Sequence, residues 1–289
     1  MIFELVISVL RVFGLLSFPI FFHSLQYFSK PYKLVVFDPS TVIAILGTFL
    51  VAGLVKGVIG LGLPSISLAL LTVVINLPTS MALLLMPSLV TNIWQAVRGG
   101  NFLKILKRLW LLFLTSTMTV WIGTTALTIV DLTLLSALLG GLLMSYAVVS
   151  LSGLRFNLKT RNEWWVGSLT GSLNGILTGM TGSFVVPGVF YLQSIGFKRD
   201  MLIQSMGILF TVSTLALIFS LHGNEFLTSE LGVWSSVSVV PAIFGMVIGQ
   251  RIRQGLSEKA FRKLFFFFIL TIGAYIVVTA LQNYIFSIN

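Results

Sequence analysis

Apolar runs of membrane-spanning length recur along nearly the whole chain, separated by short polar or glycine-rich breaks. A transmembrane helix needs roughly 20 apolar residues, because the hydrocarbon core is about 30 Å thick. Ten such elements are predicted after an N-terminal segment. The first five run Ser40–Ile59, Pro64–Leu77, Thr79–Val97, Leu109–Val130 and Leu132–Gly153. The second five run Trp164–Met180, Ser183–Gly196, Met201–Leu221, Leu231–Gln250 and Ala260–Tyr284. All are expected to be helical, since a segment exposed to lipid must satisfy its own backbone hydrogen bonds. The second and seventh hold only 14 residues each. They are expected to cross as thinned or tilted helices whose ends are buried in protein.

Composition sharpens this picture. Of 289 residues, 56% are hydrophobic and 9% charged. A soluble domain carries about 25% charged residues. No polar stretch is longer than a loop, so no separate soluble domain is expected. With no cysteine in the chain, disulfides, thiolate metal sites and cysteine nucleophiles are excluded. The first 38 residues carry no standard signal-peptide pattern. Glu4, Ser8 and Arg11 share a helical face there, which fits an amphipathic interfacial helix; a full span from Phe3 to Phe22 is the alternative.

A net charge of +10 invites a nucleic-acid partner, but its distribution excludes one. The basic residues sit in short loops, as membrane orientation requires. The loop after the third element holds Arg98, Lys104, Lys107 and Arg108, and the loop between the halves holds Arg155, Lys159 and Arg161. Lys198 and Arg199 follow the seventh element; Arg251, Arg253, Lys259, Arg262 and Lys263 follow the ninth. If every element crosses, these 14 of the 18 basic residues share one side, which the positive-inside rule makes cytoplasmic. Asp38, Asp131, Glu225 and Glu230 fall on the other, with Lys30 and Lys33 as misfits.

The halves repeat. Gly53 and Gly57 match Gly171 and Gly175 at a shift of 118, Gly60 and Gly62 match Gly179 and Gly182, and Met81 and Met86 match Met201 and Met206. Five elements per half is an odd number, so the second half enters the membrane from the opposite side. The expected architecture is all-α: a polytopic transmembrane protein of two inverted five-helix repeats, with glycine-broken short helices at their interface. Residues 1–38 form the extension, 39–155 the first repeat and 156–289 the second. Such folds place substrate at the paired breaks, here Gly57 to Pro64 and Gly175 to Ser183. A helix beginning at Pro64 or Ser183 would aim free N–H groups at an anion. The alternative is that the glycines serve close helix packing.

Apart from Arg262 and Lys263 at the start of the tenth element, Lys56 is the only basic residue inside an assigned element of the repeat. It is the candidate to neutralise a bound anion beside Gly60 and Gly62, or else it snorkels to water. Asn174 holds the matching place in the second half, near Gly179, Gly182 and Ser183. Asn92 and Gln204, with Thr91, Gln95 and Ser205, lie on the helices after the breaks, as candidate ligands or interhelical glue. Trp164 and Trp165 fit an aromatic belt. No Asp or Glu lies deep in any element, so a carboxylate proton relay is missing. Nucleophile–base pairs, a Walker loop and metal-ligand clusters are also missing. An enzyme, an ATP-driven pump, a cofactor and a bound metal are therefore not expected. The expected partners are a small anionic substrate and the lipid bilayer; homo-oligomerisation is left open.

The run from Lys56 to Pro64, Pro78, and Met86-Pro-Ser-Leu-Val-Thr-Asn-Ile-Trp-Gln95 resemble the first half of the sulfite exporter TauE/SafE family. Gly175 to Pro187 resembles its degenerate second repeat. The resemblance covers roughly Ser40 to Tyr284 and has no counterpart for Met1 to Asp38. It implies a permease of the bacterial inner membrane that moves sulfite, sulfonates or related small organic anions. The competing reading is a membrane-embedded scaffold or assembly subunit that moves nothing.

Overall fold

Among the described residues most apolar runs fold as helices, and the side chains that start the helices at one end of the molecule are short and polar. The computed structural model describes residues 37–154, 157–253 and 258–288; the segment Phe3–Phe22, with Lys30, Lys33 and Arg155, lies outside them. In chain order the helices are α1 Pro39–Ile59, α2 Leu63–Val74, α3 Leu77–Val97, α4 Phe102–Ile129, α5 Leu132–Ser152 and α6 Glu163–Thr181. They continue with α7 Gly188–Ser194, α8 Arg199–Gly223, α9 Ser229–Val237, α10 Val239–Ile252 and α11 Glu258–Ile288. Among the described residues seven spans are long and apolar enough to cross a membrane: α1, α3, α4, α5, α8, α9 with α10, and α11.

Asp38, Asn76, Asp131 and Thr228 cap α1, α3, α5 and α9 by accepting a backbone N–H of the first turn. A short acceptor there satisfies an orphan helix donor and complements the helix dipole. These hydrogen bonds hold the exposed Asp38 carboxyl down at about 2, chiefly through Ser40 and Thr41. The two outer aspartates of the charge pattern thus act as caps.

The opposite end gathers the basic loops. The side-chain oxygen of Gln204, early in α8, accepts the N–H of Asn101 just before α4. Arg108 in the first turns of α4 donates to Glu163 at the start of α6 and to the Ile195 carbonyl past the end of α7. The Leu158 N–H donates to the Ser194 carbonyl at 2.9 Å. This short element, residues 182–195, therefore returns to the end from which α6 departs. It does so by a different means from the one expected.

Helix α7 holds 7 residues and begins at Gly188, not at Ser183. The Ser183 N–H donates to Thr181 Oγ1, and Thr178 Oγ1 donates to the Ser183 carbonyl. These local bonds hold the chain out of a helix until Pro187. At 1.5 Å per residue α7 spans about 10 Å, and the 12 residues of α2 about 18 Å, both well short of a bilayer core. Two further elements differ from expectation. Helix α4 begins at Phe102, inside the expected basic loop, because Ile105 finds a buried site there while Lys104 and Lys107 face outward. It bends at Leu109, whose backbone is non-helical. The ninth element is cut at Ser238 into α9 and α10, as Pro241 in the first turn of α10 has no N–H to continue the helix behind it.

Glycines set the tightest packing. A Cβ on Gly53 or Gly57 of α1 would strike the carbonyl oxygens of Ala242 or Met246 on α10, and one on Gly245 or Gly249 would strike those of Leu50 or Leu54. A Cβ on Gly171, Gly175 or Gly179 of α6 would meet the carbonyls of Leu112, Ser116 and Val120 on α4, where Gly123 returns the contact to Ile176. The first helix of each half thus lies, backbone to backbone, on the fourth helix of the other. At Gly53, Gly57, Gly171, Gly175 and Gly179 the glycines serve helix packing.

Candidate functional site

Lys56 sits one turn before the end of α1, where the helix stops at Gly60 in a left-handed conformation (φ +88°). Its side chain points inward and is 4% exposed. Nζ donates to Thr91 Oγ1 at 3.0 Å and to Asn92 Oδ1, both on α3. The site therefore unites three of the residues singled out from sequence, Lys56, Thr91 and Asn92. It rules out snorkelling. The Thr91 hydroxyl also donates to the Pro87 carbonyl at 2.7 Å, so its remaining lone pair is what faces the amine. Among the described residues no carboxylate pairs with Lys56; the ion pair found there is Arg108–Glu163. A cation formed at Lys56 therefore meets only neutral dipoles, and burying an uncompensated charge is costly.

The site has spare donors. The Asn92 amide nitrogen is buried with no hydrogen-bond partner, and so is the Ser88 hydroxyl one turn earlier on the same face of α3. Buried polar groups are nearly always paired, so such orphans call for an explanation. Beyond Gly60 the chain passes Gly62 in the left-handed region (φ +108°) and enters α2 with Pro64 in its first turn. Gly60 faces Ile203, and Gly62 lies against the ring of Phe265.

The second break is built differently. Asn174 is fully buried, as Lys56 nearly is, but its functions are spent. Its Oδ1 accepts the Gly188 N–H at 3.0 Å, and its Nδ2 donates to Ser116 Oγ at 3.3 Å. The Ser183 N–H is likewise taken up, by Thr181 Oγ1. Gly179 lies in the α4–α6 seam. Gly182 (φ +73°) faces the first half, where a Cβ would stand 2.7 Å from Met81 Cγ and 3.2 Å from Leu68 Cδ2. Gln204 is a clamp between helices: Nε2 donates to the Ala96 carbonyl at 2.8 Å and Oε1 accepts from Asn101 at 3.0 Å. Gln95 answers by donating to the Ile203 carbonyl at 2.8 Å. The two repeats thus differ in chemistry: one break carries a basic residue with unused donors, the other a closed neutral network.

The profile of the family described as Sulfite exporter TauE/SafE matches residues 45–276, most of the chain. The chain belongs to that family. No curated protein and no solved structure matches it. TauE/SafE membership makes it a membrane permease, in keeping with its seven span-capable helices. The matched region contains Lys56, Thr91, Asn92 and both breaks.

Two features of this TauE/SafE chain carry no sequence motif. Glu163 is 7% exposed and is held by Arg108 through two hydrogen bonds of 2.8 and 2.6 Å. Tyr191 of α7 donates to the Glu163 carbonyl at 2.9 Å, fixing α7 to the same knot. An acid three residues after Thr160, ahead of an apolar run, was the available signal. The Ser88 and Ser65 hydroxyls were hidden among the chain's many serines, several of which bond their own helix.

Proposed function

We propose that the chain is a secondary transporter of small sulfur-containing or organic anions, such as sulfite or sulfonates, across the bacterial inner membrane. The observation that carries this reading is the Lys56 site: a buried amine, ringed by neutral oxygens and unused donors, with no carboxylate partner among the described residues. An oxyanion fits what that site lacks. It supplies the counter-charge that Lys56 needs and the acceptors that Asn92 and Ser88 need. The amine, Asn92 Nδ2 and Ser88 Oγ are all donors, so the site favours an anion with several oxygens over a neutral solute. The bonds that Asn174 and Ser183 already make support a binding site in the first half.

Two inverted repeats account for the packing. The α1–α10 and α6–α4 seams have the same glycine construction with the halves exchanged, as a two-fold relation requires. Alternating access then amounts to movement of one half against the other around the Lys56 site.

Uptake of labelled sulfite and taurine-like sulfonates into proteoliposomes tests the reading. Flux above that of protein-free vesicles is expected, abolished by Lys56→Met and retained in Arg98→Met. Arg98 is exposed and stacked 4.2 Å over the Trp94 ring, so it serves as the charge control. Folded protein that moves no small anion, or equal effects of the two substitutions, would overturn it.

A further inference from the structure

Serines and threonines in these helices typically donate to a carbonyl one turn back. Ser67 does so to Leu63 at 2.6 Å, Thr115 to Leu111 at 2.7 Å and Thr214 to Phe210 at 2.6 Å. Among the described residues, four buried side-chain polar atoms have no partner at all: Ser65 Oγ, Thr72 Oγ1, Ser88 Oγ and Asn92 Nδ2. All four belong to α2 and α3. Ser65, Ser88 and Asn92 are 1%, 0% and 0% exposed, so these atoms are also cut off from solvent.

The four atoms are ordered along two helix faces. On α2, Ser65, Leu68 and Thr72 recur at i, i+3 and i+7; on α3, Met81, Ser88 and Asn92 recur at i, i+7 and i+11. Both spacings keep to one side of a helix. The two faces meet at Gly182, where an added Cβ would strike both Leu68 and Met81. Helices α2 and α3 run antiparallel across the turn at Ile75 and Asn76. Leu68 and Met81 thus stand at one level. Ser65 and Ser88 lie from there toward Lys56, and Thr72 lies toward the capped, non-basic end. From Met81 to Asn92 the face runs about 16 Å at 1.5 Å per residue.

We propose that these facing sides of α2 and α3 line the path of the transported anion. Ser65, Ser88 and Asn92 form its hydrogen-bonding wall, and Leu68 and Met81 against Gly182 form an apolar pinch that closes it toward the non-basic end. This inference rests on the transport reading but concerns where the path runs. It places the path inside the first half, along the short helix α2, instead of along the line joining the two breaks. Hydroxyls left unbonded by the protein can be exchanged from one anion oxygen to the next at little cost. Gly182 lets the pinch close tightly, since any side chain there would drive Met81 aside.

The chain has no cysteine, so single thiols can report on the path. Ser65→Cys, Ser88→Cys and Thr72→Cys, each in folded full-length protein in proteoliposomes, are treated with an anionic, membrane-impermeant sulfonatoethyl methanethiosulfonate. Labelling is read by mass. Ser67→Cys is the control, because Ser67 is equally buried two residues from Ser65 and bonded to its own helix. The three path thiols are expected to react at least about tenfold faster than the control, since access to the anionic reagent governs thiol reactivity here. Applied from the non-basic side, the reagent should reach Thr72→Cys readily and Ser65→Cys slowly, and adding Met81→Ala should speed the latter. Path thiols no faster than Ser67→Cys would overturn the path, and a Ser65→Cys rate unchanged by Met81→Ala would overturn the pinch. Anion flux with inert path thiols defeats this inference alone; ordered labelling with no flux of any small anion defeats the transport reading alone.

Discussion

The Ser235 hydroxyl of α9 donates to the Leu83 carbonyl of α3 at 2.9 Å. Leu83 is the residue four before Pro87, which has no N–H to give it. Ser235 also accepts the Met86 N–H at 2.9 Å. A proline inside a spanning helix is tolerated when a neighbouring helix satisfies the freed backbone group, and here one buried serine does so. The repair stands one turn before the Ser88–Thr91–Asn92 face that receives Lys56.

Ser235→Ala leaves the Leu83 carbonyl buried and unpaired, a loss of about 1–3 kcal/mol. The melting temperature in detergent should fall. In a Pro87→Ala background the helix regains its own bond, so the same substitution should then cost much less. Additive losses in the double-mutant cycle would show that Ser235 does not act on the Pro87 gap.

Gln204→Ala removes acceptor and donor from Asn101 and Ala96 at once. Two backbone groups lose their partners, at about 1–3 kcal/mol for each that stays buried. The expected signature is a lower melting temperature with KM for the transported anion unchanged. A raised KM at unchanged stability would return Gln204 to the binding site.

Gly57→Val and Gly175→Val should both prevent accumulation of folded protein, because the new side chain would occupy the position of a carbonyl oxygen on the facing helix. Gly47→Ala and Gly141→Ala, which meet nothing within 4 Å, should be neutral or stabilising by about 0.5–1 kcal/mol, as expected for glycine replaced within a helix. Expression level and monodispersity in detergent separate the two groups.

Glu163→Gln leaves the part-exposed Arg108 without its counter-charge and loosens the joint among α4, α6 and α7. Breaking a buried pair costs about 3–5 kcal/mol, and the 37% exposure of the Arg108 side chain lowers that toward about 2. The melting temperature should fall, and Arg108→Met in the same chain should recover part of the loss by removing the stranded cation. A double variant less stable than Glu163→Gln alone would refute this account.

The ten elements were legible because lipid imposes one rule on every residue of a span. Runs such as Ser40–Ile59 and Leu132–Gly153 differ from the observed helices by a residue at either end. Where protein, not lipid, surrounds the backbone, that rule lapses and local chemistry decides. Thr178 and Thr181 therefore hold Ser183 out of a helix, and Ser238 with Pro241 splits the ninth element. The glycine register was visible in the chain, but its use was not: the same residue type closes the α1–α10 seam at Gly57 and bends the chain at Gly62.

Composition and loop charge alone determined that the chain is a polytopic helical membrane protein, since hydropathy and charge are local properties of each segment. They also marked Lys56, because a basic residue within a span is rare wherever it points. Only the tertiary structure decided what Lys56 meets. Its partners Thr91 and Asn92 lie 35 and 36 residues away. The unused donors of Ser65 and Ser88 stand out as a feature only once the bonds of the other buried hydroxyls are known. Pairing is a property of three-dimensional neighbours, so the contrast between an open first break and a satisfied second one belongs to the fold.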